Sequence, residues 1–259
     1  MSLRMMIITI AAMSLMAAST AVASERHSAF TAILDNHVSA RGLVNYTDLC
    51  ADARLGQYTQ TLSSTDWTTL SGDDQLAFWI NAYNAFTLTV VCDSYPIDSI
   101  NDLHKGGLAL GTVFNTTIWD KKIFAINGEE MSLGHIEHNI LREGPEKARI
   151  HFAIVCAAVS CPPLRAQAYE GTKIDAQLEA QGRIFLARAD LNRFDLPKKR
   201  AYLSGIFKWF LKDFGRDKTE LLRYLARYAP DPAVAESLRS EPGEWRIKWN
   251  KYDWSLNEQ

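Results

Sequence analysis

The sequence predicts an α+β fold: a helix-rich single domain with a small, mostly antiparallel sheet and a buried central helix. Three observations carry this. Residues 73–91, "DDQLAFWINAYNAFTLTVV", are apolar around nearly the whole circumference of a helix, which suits an enclosed one. Several other segments space their apolar residues as helices with one buried face do. Alternating segments are few and short, so the sheet is small.

In chain order, Glu25 to Val38 reads as an amphipathic helix through Phe30, Ile33, Leu34, His37 and Val38. Gly42 to Tyr46 reads as extended, and Leu49 to Leu62 as helix again. The central helix opens on Asp73 and Asp74, acidic residues suited to the positive end of its dipole. "GTVFNTTIWDKKIFAING" alternates on both sides of Asp120-Lys121, which predicts a hairpin of two short strands. Ser132 is placed to cap a helix running to Arg142, and Gly144-Pro145 stops it. Ile150 to Val155 reads as a buried strand. Helices follow at Ile174 to Ala187, at Gly205 to Phe214 after a Ser204 cap, and at Thr219 to Tyr228. "WRIKWNKYDWSLN" reads as a strand and an aromatic tail.

The N-terminus predicts export. Arg4, an apolar run from Met5 to Ala18 and the small-x-small pattern Ala21-Val22-Ala23 match a signal peptide over residues 1–23. That leaves residues 24–259 as one globular domain in a periplasmic or secreted setting, beginning near Ser24. The run is short for a membrane span, so no integral insertion is expected after cleavage. A formal net charge of −2 and the absence of a basic tail exclude nucleic acid as an expected partner. A hydrophobic content of 47% is ample for a core. In an oxidising compartment Cys50, Cys92, Cys156 and Cys161 could form two disulfides in three connectivities.

Four groups of residues could carry chemistry. Asn81 and Asn84 lie three apart in the apolar helix, beside Trp79 and Tyr83. Their amides need partners, either backbone that they brace or a polar cleft that they line. In "GHIEHNILR", His135 and His138 share a helix face but Glu137, one and two positions away from them, points to another, so the three do not converge on a metal, and no metal or cofactor is expected. One carboxylate with Arg142 reads more simply as a salt bridge or cap network. "HFAIVCAAVSCPPL" begins on His151 and ends on two cysteines five residues apart, compatible with a clip or with a nucleophile and its base. Asp253 sits among Trp249, Tyr252 and Trp254, which close a core or wall a pocket.

"AFWINAYNAFTL", "HFAIVCAAVSCPPL", "SGIFKWFLKDF" and "YDWSLN" together resemble the family catalogued as domain of unknown function 547, from about residue 70 to the C-terminus. Members of that family often have Asn-Cys-Gly where this chain has Val155-Cys156-Ala157, whereas Ser160-Cys161-Pro162 is intact. The resemblance implies that Asn81, Asn84, Glu137, His151, Cys161 and Asp253 share a site or a core. It brings no assigned activity.

Two functional expectations follow. In the first, the protein is a cysteine-dependent hydrolase or acyl transferase acting on an amide, peptide or thioester-like substrate. Cys161 attacks, His151 moves the proton and Glu137 orients His151, while Asn81, Asn84, Tyr83, Ser160 and Asp253 hold the small-molecule or peptide substrate. In the second, it is a non-catalytic periplasmic binding or accessory protein pinned by a Cys156–Cys161 disulfide.

Overall fold

The computed structural model describes residues 26–104 and 117–259. The expected signal peptide, and the 111–116 arm of the expected hairpin, lie outside the described residues.

Helix α1 covers 26–37. The expected helix at Leu49 to Leu62 is two helices, α2 (Tyr46–Cys50) and α3 (Ala53–Ser64), because Asp52 between them caps α3 by accepting from the Arg54 N–H. Helix α4 (Gly72–Cys92) is the central element. The Ser71 side chain caps it, Asp73 and Asp74 occupy its first turn, and an unbroken run from Ala77 to Leu88 is buried. Its faces meet α2 and α3, the segment at Gly171–Lys173 and a wide-turned helix that follows Ser132. A disulfide joins Cys50 at the end of α2 to Cys92 at the end of α4.

Strands β1 (Phe124–Ile126) and β2 (Glu129–Met131) form an antiparallel hairpin. Its turn is Asn127-Gly128, both at positive φ, so the hairpin turns there and not at Asp120-Lys121 as expected. Asp120 instead closes a local turn, accepting from the Thr117 N–H. Ser132 caps α5 (Leu133–His135) as expected, but the helix then widens into a π-helix over Ile136–Leu141. The Arg142 N–H accordingly reaches back five residues to the Glu137 carbonyl.

The stretch expected as a strand, Ile150 to Val155, starts as a 3₁₀ turn at Arg149–Phe152. Among the described residues no strand pairs with Ala153 to Val155. The Asn84 amide takes that place, donating to the Ala153 carbonyl at 2.9 Å and accepting from the Val155 N–H at 3.0 Å. A side chain of α4 thus satisfies a run with the composition of sheet.

Helix α6 (Ile174–Ala187) follows as expected. Strands β3 (Arg193–Asp195) and β4 (Arg200–Leu203) then form a hairpin that the sequence reading missed, and the expected C-terminal strand, β5 (Arg246–Trp249), lies parallel to β4. The expected helix over Gly205 to Phe214 is broken at Phe210 into α7 (Ile206–Trp209) and α8 (Leu211–Phe214). Helices α9 (Lys218–Leu225) and α10 (Pro232–Ser240) are capped by Asp217 and Asp231.

The core has two parts. One surrounds α4; the other joins α6, the β3–β5 sheet and α7 to α10, with Phe152 and Tyr228 at its centre. Ile150 and Ala153 pack in the first part and Phe152 in the second, so this short turn stitches the two together. None of the helices among the described residues is long and apolar enough to cross a membrane.

Candidate active site

A cleft of about 300 Å³ opens where the two parts of the core meet. Its walls are largely aromatic: Trp119, Trp209, Phe210, Tyr252 and Trp254 line it. Its polar members are Tyr83, Glu137, His138, His151, Cys156 and Cys161, with Thr117 and Asp120 at one side. Tyr83 comes from α4, Glu137 from the π-helix, His151 from the 3₁₀ turn and the cysteines from the loop after it. A single wide turn in place of an α-turn sets the direction of Glu137, and such irregularities cluster at functional sites.

The cysteines are free thiols. The bonded pair is Cys50–Cys92, which corrects the expected Cys156–Cys161 disulfide. Cys156 and Cys161 nevertheless face one another with 2.9 Å between sulfurs, and the Cys156 N–H donates to the Cys161 Sγ at 2.9 Å. The Tyr252 hydroxyl lies 3.1 Å from the Cys156 Sγ. Cys156 is half-buried and Cys161 is buried. The hydrogen bond from the Cys161 thiol draws the Cys156 thiol below its usual range, against the opposing effect of burial and with help from Tyr252 and the Ala158 N–H. Burial, and then the neighbouring Cys156, push Cys161 well above it. The sequence assigns Cys161 the attack; of the two thiols, Cys156 is the more exposed and the one drawn down.

His151 is held elsewhere than expected. Its Nε2 donates to the Asp213 Oδ2 at 2.7 Å, and its ring stacks on Phe210 with centroids 4.0 Å apart. Asp213 is clamped in turn by the Arg142 guanidinium at 2.6 and 3.0 Å. Burial raises the Asp213 carboxyl, but the hydrogen bonds from Arg142 and His151 outweigh it and leave its pKa lowered. Among the described residues His151 Nδ1 has no hydrogen-bond partner, and the ring lines the cleft. Burial pushes the His151 pKa down to about 4, so the imidazole is neutral at neutral pH and offers a lone pair. An imidazolium is therefore not the source of the Cys156 shift.

Glu137 does not touch His151. It is 8% exposed and accepts from the Tyr83 hydroxyl at 3.2 Å. Burial raises its pKa to about 7, against the Tyr83 hydrogen bond and the charge of Arg142. The cleft thus holds a carboxyl that keeps its proton near neutrality and an imidazole that lacks one. Environments that push an acid and a base apart in this way mark acid–base pairs.

The Glu137 shift has a consequence for stability. The folded pKa lies above the unfolded value, so its contribution is present below about pH 4.5 and is lost as pH rises through about 7. The full shift corresponds to about 3 kcal/mol. Glu137→Gln keeps a neutral group in place and removes that loss. The variant should gain about 1–3 kcal/mol on the wild type between pH 4.5 and pH 8, read from urea midpoints at the two values. An identical difference at both values would contradict the buried acid. His151 runs the other way: its contribution is present above about 6.5 and is lost as pH falls toward 4.

The other expected site residues lie outside the cleft. The Asn81 amide donates to the Tyr169 carbonyl at 2.8 Å and accepts from the Tyr169 N–H at 2.9 Å. With Asn84 bound to Ala153 and Val155, both amides brace backbone. The Ser160 hydroxyl accepts from the Asp253 N–H at 2.9 Å, and the Asp253 carboxylate accepts from the Ser255 N–H at 3.0 Å. These two tie the cysteine loop to the C-terminal tail. Among the described residues no group of three or more potential ligands could hold a metal ion. Asp213 and Tyr252 are the polar partners that sequence reasoning left unassigned, although "SGIFKWFLKDF" and "YDWSLN" contain them.

Residues 67–186 match the family model described as "Protein of unknown function, DUF547". The match takes in α4, Glu137, His151 and both free cysteines, and stops before Asp213 and Tyr252. No curated protein and no solved structure matches the chain.

Proposed function

We propose that this chain, which matches the DUF547 family model over residues 67–186, is an exported cysteine-dependent hydrolase or acyl transferase acting on an amide, peptide or thioester-like substrate. One observation carries the reading: an activated thiol, a neutral imidazole held by a carboxylate and a carboxyl of pKa about 7 line one cleft. The signal-like N-terminus and the Cys50–Cys92 disulfide support export.

In this reading the Cys156 thiolate attacks the acyl carbon, and the bond to the leaving group breaks. Glu137, protonated at the start, gives its proton to the departing nitrogen, oxygen or sulfur. The neutral His151 then takes a proton from the incoming water or acceptor, whose attack on the thioester releases Cys156. Asp213 fixes the imidazole with its Nδ1 toward the cleft, and the aromatic walls receive the apolar part of the substrate. Cys156, not Cys161, is the attacking sulfur, because it is the more exposed and the more readily ionised.

p-Nitrophenyl acetate tests the chemistry without knowledge of the natural substrate. A burst of nitrophenolate with an acetyl group on Cys156, located by peptide mass mapping, is the expected result. His151→Ala should keep the burst and slow deacylation by about 100-fold, the lower end of general-base effects. An acetyl group found only on lysines, or a burst unchanged in Cys156→Ser, would reject the reading.

A further inference from the structure

An acyl nucleophile has no need of a second thiol against it, and the buried Cys161 is the part of the cleft that acyl chemistry leaves unexplained. Its position is built. The Val159 N–H donates to the Ser255 carbonyl at 2.8 Å, the Ser160 N–H to the Asp253 carbonyl at 3.2 Å, and the Asn257 N–H to the Ala157 carbonyl at 3.1 Å. Ala157 itself is held at φ 58°, a conformation that L residues other than glycine rarely adopt. These contacts fold a four-residue loop back on itself and bring its two ends, Cys156 and Cys161, to 2.9 Å. Both cysteines line the cleft, and the pair is asymmetric in exposure: Cys156 is half-buried, whereas Cys161 is buried.

We infer that Cys156 and Cys161 form a thiol–disulfide exchange pair that reduces disulfides with apolar flanks, which the Trp209, Tyr252 and Trp254 wall would receive. The Cys156 thiolate attacks one sulfur of the substrate disulfide. A mixed disulfide forms, the substrate S–S bond breaks, and the departing sulfur leaves as a thiolate that takes up a proton. Cys161 then loses its proton and attacks the Cys156 Sγ. The internal disulfide forms as the second substrate thiolate leaves. The substrate gains two electrons and the cysteine pair loses two. An external dithiol restores the pair by the reverse sequence. The lowered Cys156 and raised Cys161 suit attacking and resolving roles, since a mixed disulfide at Cys156 removes the neighbouring charge that, after burial, holds the Cys161 thiol up. This exchange uses the same cleft as the acyl chemistry but does not depend on it.

The test uses 5,5′-dithiobis(2-nitrobenzoate), an aromatic disulfide, on the folded full-length protein. Wild type should release two equivalents of thionitrobenzoate per chain and retain no adduct, with a Cys156–Cys161 bond recovered by peptide mapping. Cys161→Ser should release one equivalent and keep a stable adduct on Cys156. Release of the second equivalent should slow by more than about 100-fold, because an intramolecular thiol in place has a very high effective concentration. Stable adducts on both cysteines of the wild type, or first attack by Cys161, would overturn the inference. If the Cys161→Ser chain proves unfolded by circular dichroism, the wild-type stoichiometry and mapped bond decide alone. Acetylation of Cys156 by p-nitrophenyl acetate is read separately. Exchange without acetylation would reject the acyl reading alone, and acetylation without an internal disulfide would reject exchange alone.

Discussion

Asn84→Leu should destabilise the fold by about 2–5 kcal/mol, although leucine is close to asparagine in volume and the site is apolar. The Asn84 amide is 2% exposed and satisfies two backbone groups at once, the Ala153 carbonyl and the Val155 N–H. Removing it leaves both buried with no partner, and each orphaned group costs about 1–3 kcal/mol. Added apolar area in α4 recovers part of that. The damage should also reach the cleft, because Ile154 and Val155 line it and lead directly into Cys156. A lower urea midpoint with an unchanged slope is the expected observation. An unchanged midpoint would mean that water or a shifted backbone replaces the amide, and that Asn84 does not brace the site.

Loss of the Cys50–Cys92 bond should cost about 4 kcal/mol in a chain-entropy treatment, since the bond closes a loop with a sequence separation of 42. It ties the end of α2 to the end of α4 and encloses α3 and the whole central helix. The double variant Cys50→Ala/Cys92→Ala should therefore lose stability by about that amount in urea, and reductant should bring the wild type down to the same level. A cost below about 1 kcal/mol would show that α4 is held by packing alone. In either case Cys156 and Cys161 remain in their loop, so the reactivity of the cleft separates from the stability of the helix.

Much of the fold is legible in the sequence where the physics is local. The near-uniform apolarity of α4 declares its burial, and Ser132 marks a helix start through a side chain that accepts from the His135 N–H. Partnership across the chain is not legible in this way. Ile150 to Val155 has a strand's composition, but its hydrogen bonds go to Asn84, and nothing local says so. The break at Phe210 follows the same logic: a helical segment divides where its ring stacks on His151, which also brings Asp213 to that imidazole from 62 residues away. Glu137 is the acid nearest His151 in the sequence motifs, yet the fold gives that place to Asp213. Cys156 is the more exposed of the two free cysteines, and it meets the hydroxyl of Tyr252 from 96 residues away. Spacing along the chain carries neither.

The account rests on Cys156 as a thiol activated by Cys161 and Tyr252, and the pH dependence of its alkylation tests that directly. Iodoacetamide should modify Cys156 first, with a midpoint below the ordinary thiol value of about 8.5. Tyr252→Phe and Cys161→Ala should each move that midpoint upward by removing a hydrogen bond to the thiolate, whereas His151→Ala should leave it in place, because that imidazole is neutral. Modification of Cys161 before Cys156, or a wild-type midpoint at or above about 8.5, would contradict the account.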